Sequence, residues 1–188
     1  MKIILSLTLL SIALLLMNCE PEVDLYRHYV IRQGDHYATP RVVESLQTNK
    51  LSFTAKFDPS CQYIFEDPGS QDSKNKLLGF ADCNSLHHEN SARFAWQWLH
   101  DQLEIFAYCY VNGQRVEQFV GVVALEKENY FEIKLLDNQY VFTLNNQQPV
   151  IIQRGVVCNA GIYYMLSPYF GGTLPAPHDV HLSIKLIY

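Results

Sequence analysis

Short apolar segments with a two-residue alternation, separated by turn residues roughly every 8–12 positions, run through most of this sequence. Leu51–Phe57 is the clearest of them, because its odd-numbered residues are apolar and its even-numbered residues are polar. Such alternation is typical of a β-strand with one buried face. Almost no segment has the apolar spacing of a helix. The pattern therefore predicts an all-β fold.

Turn signals join these segments into hairpins. Asn112-Gly113 is the strongest of them, and Asp137-Asn138 and Asn145–Gln148 mark two more tight turns. We predict an antiparallel jelly-roll or concanavalin-like two-sheet sandwich rather than a barrel, with residues 25–188 as one domain. The predicted strands are Leu25–Ile31, Leu51–Phe57, Gln62–Phe65, Lys76–Phe80, Ser91–Trp98, Leu103–Val111, Gln114–Val123, Asn129–Leu136, Gln139–Leu144, Pro149–Gln153, Ile162–Ser167 and Val180–Tyr188.

The first residues, 1–18, combine Lys2 with a long uncharged apolar run, a pattern typical of a secretory signal peptide. Leu16–Cys19 resembles a bacterial lipoprotein cleavage site, in which Cys19 would carry the lipid. We therefore predict a signal peptide over residues 1–18, lipidation at Cys19, a tether over residues 19–24 and a lipid-anchored position in the bacterial cell envelope. Secretion without an anchor and an uncleaved membrane anchor are the alternatives, since the apolar run is close to spanning length.

The charge balance argues against a nucleic-acid partner. The chain has 14 Lys and Arg against 19 Asp and Glu, for a formal net charge of −5, and no basic cluster. Affinity for nucleic acid depends on neutralising phosphates, which an acidic chain does poorly. The sequence leaves the oligomeric state open.

Four cysteines remain beyond Cys19: Cys61, Cys83, Cys109 and Cys158. In an exported chain they permit two disulfides with three pairings, or they are buried thiols that pack as small apolar residues. Their spacing contains no close pair, which argues against a structural zinc site. We predict no metal and no cofactor.

Polar chemistry concentrates in two stretches, Asn75–Trp98 and Pro168–Asp179. We predict that the two lie together at one end of the sandwich, where loops on a rigid scaffold commonly form binding sites. The alternative is that these polar groups only satisfy one another and the loop backbone. The candidate ligand-binding residues, none with an assigned catalytic role, are Asp82, His87, His88, Asn90, Arg93, Gln97, Tyr108, His178 and Asp179.

Four sequence motifs occur in a fixed order. They are N-K-L-x-G-F at Asn75–Phe80, H-x-x-N-S-A-R-x-x-W ending at Trp96, A-Y-x-Y-x-N-G-x-R at Ala107–Arg115 and P-Y-F-G-G-x-x-x-A-P-H-D at Pro168–Asp179. Their order and spacing resemble a group of uncharacterised exported bacterial β-sandwich proteins, over roughly residues 51–188. The resemblance implies the sandwich fold and the envelope location, and it implies no particular activity.

Three functions compete at this point. The chain has 12 Tyr and is 13% aromatic, which suits a carbohydrate-binding surface as well as an ordinary β core. Our first hypothesis is a non-catalytic, lipid-anchored binding module, with carbohydrate as the candidate ligand. The second is a structural or assembly protein of the envelope. The third is a polysaccharide lyase, with Arg93, Gln97, His178 and a strand Tyr as the reacting groups, or a glycoside hydrolase, which needs a pair of carboxylates.

Overall fold

The structure is a computed structural model that describes residues 24–156 and 162–188. The predicted signal peptide, Cys19, almost all of the predicted tether and Cys158 lie outside these residues. The described residues form twelve strands and two short 3-10 helices, Pro59–Cys61 and Pro68–Ser70. The strands are β1 (Arg27–Ile31), β2 (Ala38–Thr39), β3 (Lys50–Phe57), β4 (Asn75–Asp82), β5 (Ser91–Leu99), β6 (Gln102–Val111), β7 (Gln114–Val123), β8 (Asn129–Leu136), β9 (Gln139–Leu144), β10 (Val150–Gln153), β11 (Ile162–Leu166) and β12 (Val180–Ile187).

Two antiparallel sheets contain all of these strands. The seven-stranded sheet has the order β10-β9-β8-β3-β12-β1-β2, and the five-stranded sheet has the order β11-β4-β5-β6-β7. This arrangement confirms the predicted antiparallel two-sheet sandwich. Two of the predicted hairpin turns have left-handed backbone at Asn112, Gly113 and Asp137, as tight β-hairpins require. Within the described residues, no helix has the length and apolar character needed to cross a bilayer.

Aromatic side chains from both sheets fill the space between them. Phe53 of β3 stacks on Phe131 of β8 with ring centroids 5.1 Å apart. Phe94 of β5 meets Phe131 and Phe142 edge to face, at 5.0 and 5.1 Å. All four rings are fully buried, and the odd-numbered residues of Leu51–Phe57 all face this core, as predicted.

The polar face of β3 is less exposed than its alternation suggests. Ser52 and Thr54 are both buried, because β3 lies inside the seven-stranded sheet between β12 and β8. The Ser52 hydroxyl donates to Glu132 at 3.1 Å, and the Thr54 hydroxyl shares a hydrogen bond with Tyr26. Buried hydroxyls are tolerated when they find such partners.

One predicted strand is wrong. Gln62–Phe65 has no regular structure and pairs with no strand. Its aromatic side chains pack against the core, where Tyr63 meets Phe170 at 5.1 Å and Trp96 at 6.0 Å, while Ile64 is exposed. The two-residue strand β2 was missed, because it lies inside a stretch whose Gly and Pro residues predict only a turn.

Among the described cysteines, two are buried thiols and one is in a disulfide, so both alternatives drawn from the sequence occur. Cys61 and Cys109 are free thiols in the core, and burial raises the pKa of each thiol well above its usual value. Cys83 is disulfide-bonded.

Candidate functional site

The outer face of the five-stranded sheet carries a set of charged and aromatic side chains in register. Phe94 and Trp96 of β5 point into the core. Because side chains alternate along a strand, the preceding residue Arg93 points to the outer face. Strand pairing sets the outward residues in three rows across the sheet. The rows are Ser91–Tyr110–Arg115, Gly79–Arg93–Tyr108–Glu117 and Lys76–Ala95–Phe106–Phe119.

A cleft of about 680 Å³ lies over the first two of these rows and over Lys76. Its walls come from residues 37–43, from β11 and the following loop through Gly172, and from His87 and His88 in the β4–β5 loop. Five basic residues and two acidic residues line it, although the whole chain is acidic. The basic residues are Arg41, Lys74, Lys76, Arg93 and Arg115, and the acidic residues are Asp72 and Glu117.

Arg93 is the least satisfied charge in the cleft. The residue is only 7% exposed, and its Nε is buried with no hydrogen-bond acceptor. Among the residues that the structure describes, no carboxylate pairs with it. Its guanidinium carbon lies 5.7 Å from the centre of the Tyr108 ring, and burial lowers the pKa of Arg93. A buried charge of this kind is unfavourable unless an anion binds beside it.

Lys76 is the second buried cation of the cleft, and it too has no carboxylate partner in the described part of the chain. It is 9% exposed, and its ammonium donates to the Gly171 carbonyl at 2.8 Å. The ammonium also lies over the rings of Tyr108 and Tyr169, at 5.1 and 5.7 Å. Burial, and then the positive charge of Arg93, lower the pKa of Lys76 to about 8. Lys76 is therefore still mostly charged at pH 7.

The absence of a side chain at Gly79 of β4 allows Arg93 of β5 to pack directly against the β4 backbone. A Cβ at position 79 would lie 2.1 Å from the Ala92 carbonyl oxygen and 2.2 Å from the Arg93 Cβ. The pairing of β4 with β5 also shifts register between Lys76 and Gly79, as in a β-bulge. Bulges re-aim side chains next to binding sites. The N-K-L-L-G-F sequence therefore places a lysine, a bulge and the required glycine within one strand.

His87 and His88 form a small aromatic wall beside this charged floor. The His87 Nδ1 is 2.9 Å from the Tyr164 hydroxyl, and the two imidazole rings are 4.1 Å apart. Burial, and then the neighbouring His88, lower the pKa of His87, so its ring is neutral at pH 7. Burial, and then Tyr110, raise the pKa of Tyr108 to about 12, so its phenol keeps its proton. The cleft thus holds a proton acceptor and a proton donor near two cations.

Four of the predicted site residues line this cleft: His87, His88, Arg93 and Tyr108. The two polar stretches also meet here, because Pro168, Tyr169, Gly171 and Gly172 line the opposite wall. They meet over the outer face of the five-stranded sheet, and not at one end of the sandwich as the sequence suggested.

The other predicted site residues do not line the cleft, and each has a structural partner. The buried Asp82 accepts from Arg154 and Tyr140, and Asn90 holds the β4–β5 loop through Ser85 and the Asn112 backbone. Gln97 is buried and donates to Glu104 at 2.6 Å.

At the far end of the second stretch, His178 contacts the Ser60 carbonyl at 2.8 Å. Asp179 accepts from the Arg32 guanidinium at 2.6 Å and from the Gln33 backbone at 2.9 Å. These contacts hold loops together.

Sequence reasoning missed several cleft residues. Lys76 had a usable signal, because it is a charged residue in an otherwise apolar strand run. Arg41 and Tyr164 had no such signal in the sequence, since each reaches the cleft from a segment far from β4, β5 and β6 in the chain. Within residues 24–156 and 162–188, no group of three His, Cys, Asp or Glu residues could hold a metal ion.

No protein-family model and no curated protein matches the sequence. Several solved structures match the fold. The alginate lyase AlyC3 matches with a TM-score of 0.57 and 12% identity, over 86% of this chain and 74% of that one. The alginate lyase vAL-1 from Chlorella virus matches with a TM-score of 0.50 and 13% identity, over 86% and 82%. A glycoside hydrolase family 16 endo-glucanase from Bacteroides ovatus matches with a TM-score of 0.53 and 8% identity, over 86% and 80%. At these identities the similarity shows a shared jelly-roll or concanavalin-like fold.

Proposed function

We propose that the cleft binds an acidic polysaccharide whose sugar units carry carboxylates, and that the protein is a lipid-anchored binding protein of the cell envelope. The observation that carries this proposal is Arg93, a buried guanidinium without a carboxylate partner among the described residues. A guanidinium binds a carboxylate through a planar, two-pronged hydrogen-bonded pair. Lys76 adds a second positive charge beside it. A uronate carboxylate would satisfy both groups.

The aromatic lining supports a sugar as the carrier of that carboxylate. Five tyrosines line the cleft, and a phenol ring offers both an apolar face and a hydroxyl. The apolar C–H face of a pyranose stacks on such a ring, and its hydroxyls bond to the phenols. One solved structure with this fold is the alginate lyase AlyC3 in complex with dimannuronate, at a TM-score of 0.55. The tyrosines are Tyr37, Tyr108, Tyr110, Tyr164 and Tyr169.

Titration calorimetry of the purified full-length protein tests this function directly. We expect alginate and polygalacturonate to bind and a neutral mixed-linkage glucan not to bind. Affinity for the polyuronates should fall as salt is added, because salt screens their attraction to the exposed Arg41 and Arg115 at the cleft. Equal binding of the neutral glucan would refute the proposal. Binding of none of the three would favour the structural or assembly role.

A second candidate function is a polysaccharide lyase. The observation that favours it is the neutral His87, hydrogen-bonded to Tyr164 in the same cleft as Arg93. In β-elimination a base removes the proton next to the uronate carboxylate, the C4–O bond breaks and an acid protonates the leaving oxygen. The product carries a new C4–C5 double bond. Hydrolysis is less well served, since the two carboxylates of the cleft are paired with Arg115 and Lys74.

Ultraviolet absorbance separates binding from elimination. If the protein is a lyase, incubation with alginate or polygalacturonate should generate absorbance from the unsaturated product, and His87→Gln should abolish it. Binding without any such absorbance, on every polyuronate that binds, would support the non-catalytic function.

A further inference from the structure

Two aromatic rings lie on the outer face of the five-stranded sheet just beyond the cleft. Phe106 of β6 and Phe119 of β7 are direct neighbours in the third row, and their centroids are 5.7 Å apart at an angle of 74°. Phe119 is 51% exposed. Neither ring lines the cleft, and neither belongs to the core. Phe106 is partly buried, so Phe119 supplies most of the exposed aromatic surface, and such a ring on a rigid strand pair is a candidate binding surface.

The pair is continuous with the cleft. Phe106 precedes Tyr108 on the same face of β6, by two residues and roughly 6.8 Å along the strand. Lys74, which lines the cleft, has its ammonium 4.4 Å above the centre of the Phe106 ring. The same ammonium is held by Asp72 at 2.6 Å, so it is fixed between cleft and ring. Cleft and rings therefore form one surface that runs across all three rows of the sheet.

We propose that Phe106 and Phe119 form a second sugar subsite, occupied by further units of the same polysaccharide whose carboxylate binds at Arg93. This inference rests on the proposed function and names its ligand as a polymer rather than a single acidic sugar. The step between the two rows is comparable with the length of one sugar unit in a chain. The half-exposed Phe119 ring, packed edge to face against the partly buried Phe106, offers an apolar surface to a pyranose.

The surroundings of the pair favour a sugar over a protein. The aromatic surface consists of two side chains, whereas a stable protein interface buries about 1,600 Å² in total. Polar groups lie on both sides of it, with the Lys74–Asp72 pair and Glu117 towards the cleft and the hydrogen-bonded Gln97–Glu104 pair in the next row. That row adds one exposed apolar side chain, Val122. Sugar hydroxyls can bond to such groups while the ring stacks between them.

Binding of oligouronates of increasing length to the full-length protein tests the subsite. In the native protein we expect affinity to rise from the disaccharide to longer chains. Phe119→Ala should weaken the long chains by about threefold to tenfold, as expected for the loss of one aromatic contact, and leave the disaccharide unchanged. Phe119→Trp should restore the length dependence. The matched control is Ile151→Ala, which removes an equally exposed apolar side chain from β10 of the other sheet and should change nothing.

The outcomes distinguish this inference from the function on which it rests. If the native protein binds no oligouronate at any length, both fail. If it binds them but Phe119→Ala has no effect, or weakens the disaccharide as much as the long chains, the subsite is refuted and the cleft function stands. A Phe119→Ala protein that loses self-association instead of glycan affinity would identify the rings as a protein contact and also refute the subsite.

Discussion

Arg93 and Arg154 are almost fully buried, at 7% and 4% exposure, but among residues 24–156 and 162–188 only Arg154 has a carboxylate partner. Arg154 binds both carboxylate oxygens of Asp82 at 3.0 Å, with its Nε and one terminal nitrogen. Asp82 also accepts a hydrogen bond from Tyr140 at 2.6 Å. The second arginine therefore has a structural role, whereas Arg93 is in position to bind an external anion.

This contrast predicts opposite effects of the same substitution. Arg93→Met should leave the free energy of unfolding unchanged or raise it by about 1 kcal/mol, because it removes a buried charge without a partner, and should weaken polyuronate binding at least tenfold. Arg154→Met should lower the free energy of unfolding by about 3–5 kcal/mol, because it leaves Asp82 buried and unpaired, while binding by the folded protein persists. Urea unfolding and calorimetry measure the two effects. An equal loss of stability in both variants would contradict the binding role of Arg93.

Lys76 makes the predicted affinity depend on pH. With a pKa of about 8, its amine is charged below pH 8 and neutral above it. Affinity for a polyuronate, whose carboxylates stay ionised, should therefore fall by about tenfold or more as pH rises through 8, in line with the loss of one charge-assisted hydrogen bond. Calorimetric titrations between pH 6 and 9 check this, and Lys76→Met should flatten the profile. A native profile that is flat across pH 8 would contradict the role of Lys76.

Folding stability has the opposite dependence on the same group. The pKa of Lys76 is lowered from 10.5 in the unfolded chain to about 8 in the folded protein, so the unfolded chain binds the proton more tightly. The contribution of Lys76 to stability therefore rises between these two pH values. A loss of affinity above pH 8 can thus be separated from unfolding.

The stacked pair of Phe53 on β3 and Phe131 on β8 lies at the centre of the sandwich. Phe53→Ala should lower the free energy of unfolding by about 3–5 kcal/mol, since the fully buried ring leaves a cavity between the two sheets. Phe119→Ala is the matched control, because the same substitution at a half-exposed ring should cost less than about 0.5 kcal/mol. Urea unfolding curves of the two variants provide the test. A loss below about 1 kcal/mol for Phe53→Ala would show that the core is not packed as described.

Strands bounded by tight turns are those that the sequence predicts best. β7, β8 and β9 begin and end at the predicted residues, because Asn112-Gly113 and Asp137-Asn138 are turn sequences in their own right. Gln62–Phe65 has the composition of a strand but lacks a partner strand, and alternation within one segment cannot reveal that. Whether a strand forms depends on neighbours that are distant in the chain.

The cleft residues also fall into a part that local sequence predicts and a part that it does not. The alternation of β5 and β6 suffices to put Arg93 and Tyr108 on one outer face. The opposite wall, at residues 37–43 and 164–172, comes from segments remote in sequence, and no local pattern predicts its approach. His178 and Asp179 share a conspicuous motif with Tyr169, but the loop carries them to Ser60 and Arg32 instead.

At the scale of the whole molecule, the lipid anchor that we propose depends on Cys19, which lies outside the described residues. Cys19→Ser should release the protein from the membrane fraction, because the lipid would have no attachment point. Cell fractionation followed by immunoblotting measures this. A variant that stays with the membranes would favour the uncleaved anchor, and native protein found only in the medium would favour simple secretion.

The position of β12 has a consequence for the order in which the chain can fold. β12 lies between β3 and β1, where Leu182 pairs with Phe57 and with Tyr29 across long stretches of sequence. Until residues 180–187 have been synthesised, the seven-stranded sheet lacks the strand next to its central strand β3, and β1 has only the two-residue β2 as a partner. Pairings of such long range form slowly. The C-terminal strand is therefore the element that joins the two parts of this sheet, β10-β9-β8-β3 and β1-β2, and completes it last.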